Sequence, residues 1–444
     1  MYSQKIVELF DRLGIAVGDT IKVDSKELSF EGQLMPNTES GNENTIVIKL
    51  KNGYNVGVAF DEKVRVKKLE TMKKPAEFPF AKLKADPKLP SVTIIWVGGT
   101  IGSKVAYDTG GVSMTVKPEE LLYYIPEIGK IANVTVNHLF SIASEDLTYL
   151  EWQKIAAETA KALNGGARGV VITHGTDTMH FTAAALSFML QGLNAPVVLT
   201  GAQRSGDRGS SDSFMNLIAA VRFAANSNVA EVGICMHATS SDDRMVLIRG
   251  VRARKMHTSR RDAFRPVNDK PIAEMTQQGE ITYIGDYRKV EKSRAKIEAK
   301  TNFEPKVALV SAYPNSDPQV LEYYLDKGYR GIIIQGTGLG HTPTSVGHEG
   351  KSWLGHIRNA VSGGAIVGMT SQCLYGRVNS NVYKNLRLIS NAGAIYCEDM
   401  LPETALVKLG WLLGNDTTEK AKGMLNKNIA GEIKERLEFD EFLV

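Results

Sequence analysis

The chain has 444 residues, of which 43% are hydrophobic and 23% are charged, a composition ordinary for a soluble globular protein. At about 100–200 residues per domain, this length predicts two to four domains with real cores. The net charge of +4, from 53 basic and 49 acidic groups, is too small to indicate nucleic-acid binding by itself.

Targeting and redox signals point to the cytoplasm. The three cysteines, Cys235, Cys373 and Cys397, are widely spaced and form no C-x-x-C pair, which favours a reducing compartment. Residues 1–14 are amphipathic and include acidic groups, so they predict a helix and not a signal peptide. No stretch approaches the about 20 apolar residues of a membrane span, and we expect no membrane association.

The first part of the chain predicts a small β-barrel. Five short strands are expected, over Thr20–Val23, Phe30–Met35, Thr45–Lys51, Tyr54–Phe60 and Glu62–Lys67. Asn52-Gly53 is typical of a tight hairpin turn. Together with the N-terminal helix, the strands form a predicted domain over residues 1–70. Residues 71–90 contain Pro75, Pro79, Pro87, Pro90 and five lysines, and predict an extended linker.

From residue 91 the pattern changes to alternating strands and helices. Apolar runs occur at Val92–Val97, Val170–Thr173, Val197–Thr200, Val232–Met236, Val307–Val310, Gly331–Gln335 and Ala365–Met369. Continuous runs rich in β-branched residues fit parallel strands that are covered on both faces. One helix is predicted to begin at Thr148, where Glu151 completes a capping box, and another covers Thr178–Gln191. The pattern is that of a doubly wound α/β protein.

The α/β part divides into two predicted domains. A large domain covers 91–295, and the charged segment 284–305 connects it to a smaller α/β domain over 306–413. Residues 414–444 are rich in lysine and glutamate and predict a peripheral helical tail.

The strand at Val92–Val97 is followed by Gly-Gly-Thr-Ile-Gly-Ser at 98–103. Active sites of open α/β sheets form at the carboxyl ends of strands, and glycines there allow sharp turns with N–H groups aimed at a ligand. Thr100 would place a hydroxyl at the tip. A purely structural turn explains such a motif more often than a site does.

A second motif, Thr-His-Gly-Thr-Asp-Thr at 173–178, follows the next major strand. A hydroxyl beside a carboxylate, directly before a helix, suggests chemistry. Asp177 or Thr178 could simply cap the helix, but capping does not explain the whole run. His174 and His180 lack metal-ligand spacing, and we expect packed or hydrogen-bonded histidines.

A hydroxyl nucleophile needs a base, and the sequence offers no Ser-His-Asp arrangement and no G-x-S-x-G elbow. A lysine made neutral by its surroundings is an alternative base. Lys255 is a candidate, in the segment Arg254–Thr258 that follows the predicted strand Met245–Ile248. Without other information, an ordinary surface lysine is the default interpretation.

Taken together, these motifs resemble the type I L-asparaginase family. The matching segments are GGTIGS at 98–103, THGTDTMHFTA at 173–183, TGAQRSGDRGSSDSFMNLIAAV at 200–221, Lys-x-His-Thr at 255–258 and SQCLYGRV at 371–378. The resemblance covers about 91–415, and the joint order and spacing of the motifs make coincidence very unlikely. It implies an asparaginase-like fold of two domains with doubly wound parallel sheets.

The resemblance also implies catalytic roles. Thr100 resembles the primary nucleophile. Thr176 resembles the second threonine, and Asp177 and Lys255 resemble the Asp–Lys pair that activates it. Backbone N–H groups near Thr176 would stabilise the tetrahedral oxyanion. No metal is implied.

Substrate-binding positions follow from the same resemblance. Ser144-Glu145-Asp146 resembles the segment that grips the α-amino and α-carboxylate groups, although glutamine is commoner in the family at Glu145. Tyr107 is the candidate tyrosine of the flexible loop, and Gly99 and Gly175 would contribute backbone. As an alternative, Asp146 or Thr148 only caps the following helix.

About 90 residues precede the strand Val92–Val97 and its Gly-Gly-Thr motif, whereas an ordinary asparaginase begins close to that strand. An SH3-like barrel, the linker and the asparaginase body together resemble the D-subunit family of archaeal glutamyl-tRNA(Gln) amidotransferases, and 249–266 is similar as well. That resemblance implies a glutaminase that releases ammonia from glutamine or asparagine through an acyl-threonine. A partner E subunit would bind tRNA(Gln) and use ATP and magnesium, so this chain needs no cofactor. A homodimer within a heterotetramer is implied.

Three alternatives remain open. A free-standing L-asparaginase with an accessory barrel would share every catalytic residue. A non-catalytic binding protein is disfavoured, because the four implied catalytic residues are intact. Direct nucleic-acid binding by the barrel would use Lys49, Lys51, Lys67 and Lys68. Its candidate aromatic rings are Tyr54 and Phe60, for which packing into the core is the preferred interpretation.

Overall fold

A computed structural model describes most of the chain. The described residues are 2–25, 28–37, 42–50, 55–70, 86–99, 101, 104–105, 112–113, 125–204, 211–292, 296–344 and 351–442. The predicted turn at Asn52-Gly53 and residues 71–85 of the predicted linker lie outside this set.

The front of the chain is a small β domain with one helix. Its elements are α1 (Gln4–Leu13), β1 (Thr20–Asp24), β2 (Ser29–Leu34), β3 (Thr45–Leu50), β4 (Asn55–Ala59) and β5 (Arg65–Glu70). The strands form an antiparallel sheet in the order β4-β3-β2-β1-β5, as predicted for a small β domain. Ile6 and Phe10 from the helix pack into the core that the strands enclose.

Three of the side chains considered for nucleic-acid binding by the barrel have partners inside the domain, whereas Lys67 is exposed. Lys49 is buried. Lys68 pairs with Asp19 at 2.7 Å. Phe60 packs against the apolar core, as expected.

The large domain is built on an eight-stranded sheet. In the order along the sheet, its strands are β18 (Ile281–Tyr283), β17 (Ala273–Thr276), β14 (Arg244–Arg249), β13 (Val232–His237), β12 (Val197–Thr200), β10 (Gly169–Thr173), β6 (Ser91–Gly98) and β9 (Asn133–Ile142). In the described part of this domain, the flanking helices are α2 (Tyr149–Asn164), α3 (Met179–Met189) and α4 (Ser213–Asn226). Apolar clusters fill both faces, so the covered sheet that the apolar runs predicted is confirmed.

The sheet is mixed, which differs from the purely parallel prediction. Strands β13, β12, β10, β6 and β9 are parallel, whereas β14, β17 and β18 add to the edge antiparallel. Only residues 238–243 join β13 to β14, and a parallel connection would need a crossover of a dozen or more residues. The short connection therefore forces β14 to return antiparallel.

Several short strands pair outside this sheet. They are β7 (Lys104–Val105) with β8 (Val112–Ser113), β11 (Leu190–Gln191) with β19 (Glu298–Ala299), and β15 (Ala253–Lys255) with β16 (Phe264–Pro266). The capping box predicted at α2 is present: the Thr148 side chain accepts from the Leu150 N–H at 3.3 Å, and Glu151 accepts from the Thr148 N–H at 2.9 Å.

The smaller domain has a parallel sheet of four strands, β20 (Val307–Ser311), β21 (Gly331–Gly336), β22 (Ile366–Ser371) and β23 (Ile395–Tyr396). Four helices accompany it: α5 (Val320–Asp326), α6 (Trp353–Ser362), α7 (Lys384–Asn391) and α8 (Pro402–Asn415). Among the described residues of the chain, no helix is both long and apolar enough to cross a membrane.

The C-terminal segment differs from the predicted peripheral helical tail. Its helix α9 covers only Thr418–Met424, and a 3-10 turn at Phe439–Glu441 follows an irregular stretch. The segment is also partly internal, because Glu432 is fully buried and pairs with Lys408 at 2.6 Å. The lysine and glutamate content predicted a peripheral position, but the sequence does not reveal that Glu432 of this segment meets Lys408 of the small domain in the interior.

Candidate active site

The carboxyl ends of four neighbouring strands meet at one point of the large sheet. A Cβ at Gly98, at the end of β6, would lie 2.5 Å from the Ile142 oxygen at the end of β9. A Cβ at Gly99 would lie 2.5 Å from the Gly175 nitrogen, just after β10. At Gly201, after β12, it would lie 3.0 Å from the Thr176 Cγ2. Only glycine allows the backbones to come this close.

Lys255 lies on a separate hairpin, and its side chain contacts the second motif. Its Nζ lies 2.8 Å from the Thr176 Oγ1 and 2.6 Å from the Asp177 Oδ1. The Lys255 side chain is only 10% exposed, whereas that of Asp177 is 67% exposed. The default interpretation of Lys255 as a surface lysine is therefore wrong. A hydroxyl, an amine and a carboxylate within hydrogen-bond distance of one another could supply a nucleophile, a base and the group that orients the base.

The hairpin of β15 and β16 delivers this lysine. Lys255 is the last residue of β15 and pairs with Phe264 of β16. Phe264 is fully buried, so the hairpin is anchored in the core directly opposite Lys255. The 2.8 Å contact thus depends on tertiary packing across 79 residues of sequence.

Ser144 lies against the second motif. The Thr178 hydroxyl donates to the Ser144 carbonyl oxygen at 2.7 Å, and a Cβ at Gly175 would lie 2.8 Å from the Ser144 Oγ. Thr178 is the N-cap residue of α3 but makes no side-chain capping bond, so the capping alternative is wrong for it. The neighbouring Glu145 is exposed, and its carboxylate accepts a 3.5 Å hydrogen bond from Ser144.

The histidines of the second motif are packed, as expected. His174 is fully buried, and its ring nitrogens contact the Thr182 hydroxyl at 2.8 Å and the Gly175 oxygen at 2.6 Å. Burial lowers the pKa of His174 to about 4. Burial, with Arg254 as the next cause, lowers the pKa of His180 to about 4 as well. Both rings are neutral at pH 7.

Some predicted site residues lie outside the described part of the chain, namely Thr100 and Tyr107. Their neighbours locate the first motif: Gly99 touches Gly175, and Ile101 is buried. Sequence reasoning did not single out Gly201, whose backbone packs against Thr176. Its only signal was a second glycine motif directly after a strand, at 200–201.

Three family models match successive parts of the chain. Residues 15–69 match "GatD N-terminal domain", residues 91–288 match "Asparaginase, N-terminal", and residues 306–423 match "Glutaminase/Asparaginase C-terminal domain". The front domain therefore has a family model of its own, separate from the asparaginase models.

Curated relatives cover the chain from end to end. The D subunit of the glutamyl-tRNA(Gln) amidotransferase of Pyrococcus abyssi is 49% identical, over 99% of this chain and 100% of its own. That of Thermococcus kodakarensis is 49% identical, over 99% of both chains. The chain belongs to the D-subunit family of glutamyl-tRNA(Gln) amidotransferases. Membership confirms the resemblance and the asparaginase-like fold class.

Solved structures of asparaginases match less of the chain than these relatives do. The thermostable L-asparaginase from Thermococcus kodakarensis has a TM-score of 0.68 at 27% identity, and covers 78% of this chain and 100% of its own. L-asparaginase I from Vibrio cholerae has a TM-score of 0.68 at 30% identity, and covers 78% and 99%. Whole asparaginases thus leave about a fifth of this chain unmatched, which disfavours the free-standing asparaginase alternative.

Proposed function

We propose that this chain is the glutaminase component of the tRNA-dependent amidotransferase that converts Glu-tRNA(Gln) to Gln-tRNA(Gln). One observation carries the chemistry: the Lys255 Nζ bridges the Thr176 hydroxyl and the Asp177 carboxylate. Likeness to the D-subunit relatives over the full length, including the front domain, supports the assignment to the amidotransferase over that to a free asparaginase.

The proposed chemistry is hydrolysis of a side-chain amide in two steps. A threonine hydroxyl attacks the carboxamide carbon, and its proton passes to a base. The base returns this proton to the amide nitrogen, the C–N bond breaks and ammonia leaves, which produces an acyl-threonine that water then hydrolyses to the free acid and threonine. We assign Thr100 as the primary nucleophile. Thr176, with Asp177 and Lys255, forms the activating group.

Proton transfer follows from the short contacts. Lys255 would take up the proton that the attack of Thr100 releases, passed on through the Thr176 hydroxyl that lies 2.8 Å from its Nζ. Asp177, 2.6 Å from the same nitrogen, then stabilises the ammonium that forms. The backbone N–H groups around Gly175 and Gly99 would stabilise the oxyanion.

Substrate recognition falls to the edge of this site. The exposed carboxylate of Glu145 would pair with the α-ammonium of the substrate, and Ser144 and Tyr107 would complete the grip. Glutamine and asparagine differ by one methylene, so both fit this chemistry, and glutamine is the donor we propose.

A partner E subunit would complete the reaction. It would bind the tRNA, activate the glutamate with ATP and magnesium, and accept the ammonia, so we assign no cofactor to this chain. We place the complex, with a homodimer of this chain in a heterotetramer, in the cytoplasm. The three free cysteines fit that reducing setting.

The test is ammonia release from glutamine and from asparagine by the purified chain, alone and then with the E subunit and charged tRNA. We expect low activity that rises sharply with the partner and tRNA, and none from Thr176→Ala in either case. High activity on asparagine that ignores the partner would overturn the amidotransferase assignment and favour the asparaginase alternative.

A further inference from the structure

The hairpin that carries Lys255 is attached to the smaller domain through the residues just before that lysine. Arg254 forms an ion pair with Glu403 of α8. Two residues earlier, the Arg252 Nη1 lies 2.8 Å from the Asp399 Oδ2. These side chains, together with the pairing of the short strand β15 to β16, fix its path.

The two ion pairs differ in their surroundings. Arg252 and Asp399 are both fully buried, and the Arg252 Nε also donates to the Gly431 oxygen at 2.9 Å. This pair is part of the packed junction between the domains and the C-terminal segment. Breaking it would leave an unpaired interior charge, so its loss would report on folding more than on the site.

The Arg254–Glu403 pair is more open and incompletely satisfied. The Arg254 side chain is 27% exposed and that of Glu403 is 10% exposed. Arg254 engages Glu403 Oε1, whereas Oε2 is buried without a hydrogen-bond partner among the described residues. Glu403 lies in the first turn of α8, where the helix dipole favours its negative charge. A buried orphan oxygen in a native structure calls for an explanation beyond stability.

Arg254 also acts on the site electrostatically. After burial, its charge is the largest cause of the lowered pKa of His180, ahead of His174 and Lys255, while Asp177 opposes the shift. Arg254 is thus joined to the small domain through Glu403 and precedes Lys255 directly in β15. Because successive side chains of a strand leave on opposite sides, holding Arg254 also sets the direction in which Lys255 leaves the hairpin.

We propose that Arg254 and Glu403 are positioning residues, which hold the Lys255 amine against the Thr176 hydroxyl. Helix α8 of the small domain thereby contributes to the geometry of the active site. This inference rests on the proposed amidohydrolase function. Among the described residues of the site, neither contacts Thr176 or Asp177, so they act through Lys255. Their removal should impair the chemical step while leaving substrate binding largely intact.

The experiment compares Arg254→Gln, Glu403→Gln and Arg254→Lys in the full chain with the E subunit and charged tRNA, with glutamine as substrate. We expect either glutamine variant to lower kcat for ammonia release about 10- to 100-fold, with KM within about 3-fold of the parent. Arg254→Lys keeps the charge and should recover most of the kcat. The double glutamine variant should be no slower than the singles, because both remove one interaction.

A matched control uses an ion pair elsewhere in the small domain. Arg330 precedes β21, at the opposite end of that strand from the carboxyl edge, and pairs with Glu304 at 3.2 Å. Arg330→Gln should leave kcat at the parental value. The pH dependence of kcat should shift in Arg254→Gln and not in Arg330→Gln, since only the former disturbs Lys255, Thr176 and Asp177.

Three results would overturn the inference. One is a parental kcat in Arg254→Gln and Glu403→Gln when circular dichroism and unfolding midpoints show that both are folded. Another is a decrease in kcat in Arg254→Lys as large as that in Arg254→Gln. The third is a decrease in kcat that is fully explained by the fraction of unfolded protein. The proposed function fails separately, if the parent complex releases no ammonia or if Thr176→Ala is as active as the parent.

Discussion

Gly99 lies so close to Gly175 that a Cβ on the first would be 2.5 Å from the backbone nitrogen of the second. Gly99 also has a φ of +87°, which side-chain-bearing residues rarely adopt. We therefore expect Gly99→Ala to push the first motif away from the second and to abolish ammonia release. It should also lower the free energy of unfolding by about 1–3 kcal/mol, as measured by denaturant titration.

Gly166 provides the control for that substitution. It has a φ of +101°, but a Cβ there would meet nothing within 4 Å. Gly166→Ala should cost about 1 kcal/mol of stability from backbone strain while leaving the rate of ammonia release intact. If both variants lost activity equally, backbone strain alone and not the contact between the motifs would be responsible.

Removing the amine of Lys255 should disable the activation of threonine. Lys255→Met keeps the length of the side chain but cannot accept a proton, and we expect kcat to fall about 100- to 10,000-fold. Binding of glutamine should change little, because the amine contacts Thr176 and Asp177. Single-turnover ammonia release with the partner present measures the effect.

Lys161→Met is the matched surface change, because that side chain is 76% exposed and pairs with Glu158 within one helix. It should keep the parental kcat. An active Lys255→Met enzyme would mean that another base serves the nucleophile, and Lys255 would then be a structural residue.

The sequence predicted the buried strands better than the half-exposed ones. Strands such as β10 and β12 are covered on both faces and appear as unbroken apolar runs. Strand β9 was missed, because it lies at the sheet edge, is only partly buried and mixes polar and apolar residues. A strand that is covered on both faces of the sheet is recognisable as a continuous apolar run. A strand with one exposed face has a mixed composition and lacks this pattern.

The site could be predicted only as separate motifs. Thr176 and Asp177 are adjacent in sequence, but Lys255 is 78 residues from Asp177, and only resemblance to a family placed them together. The Arg254–Glu403 pair spans 149 residues and two domains, and no motif contains Glu403. Contacts of this kind depend on how the domains pack, which no local pattern encodes.

The buried neutral histidine should make stability depend on pH. His174 has a folded-state pKa of about 4, below the ordinary 6.5, so the unfolded chain binds a proton that the folded protein refuses. Stability is therefore full above pH 6.5 and falls as the pH decreases towards 4, by up to about 3 kcal/mol. His180 shifts in the same direction and adds to the trend.

Thermal unfolding midpoints between pH 5 and pH 6.5 measure this dependence. His174→Gln keeps a donor and an acceptor but has no titrating group, so its midpoint should vary less with pH than that of the parent. An unaltered slope in His174→Gln would assign the dependence to other groups.

The ion pair between Lys408 and Glu432 should be costly to break from one side. Both side chains are fully buried, 2.6 Å apart, and Glu432 also accepts from the Ile429 N–H at 3.0 Å. Lys408→Met leaves an unpaired interior carboxylate, and we expect a loss of about 3–5 kcal/mol in the free energy of unfolding.

Adding Glu432→Gln to Lys408→Met should recover part of that loss, because it removes the stranded charge while the amide oxygen still accepts from Ile429. Lys420 pairs with Asp416 at 2.5 Å but is 65% exposed, so Lys420→Met should cost less than about 1 kcal/mol. Denaturant titration of the three variants separates the cases. If Lys408→Met lowered the free energy of unfolding as little as Lys420→Met does, water would have to reach Glu432. The C-terminal segment would then be a peripheral tail, as the sequence predicted.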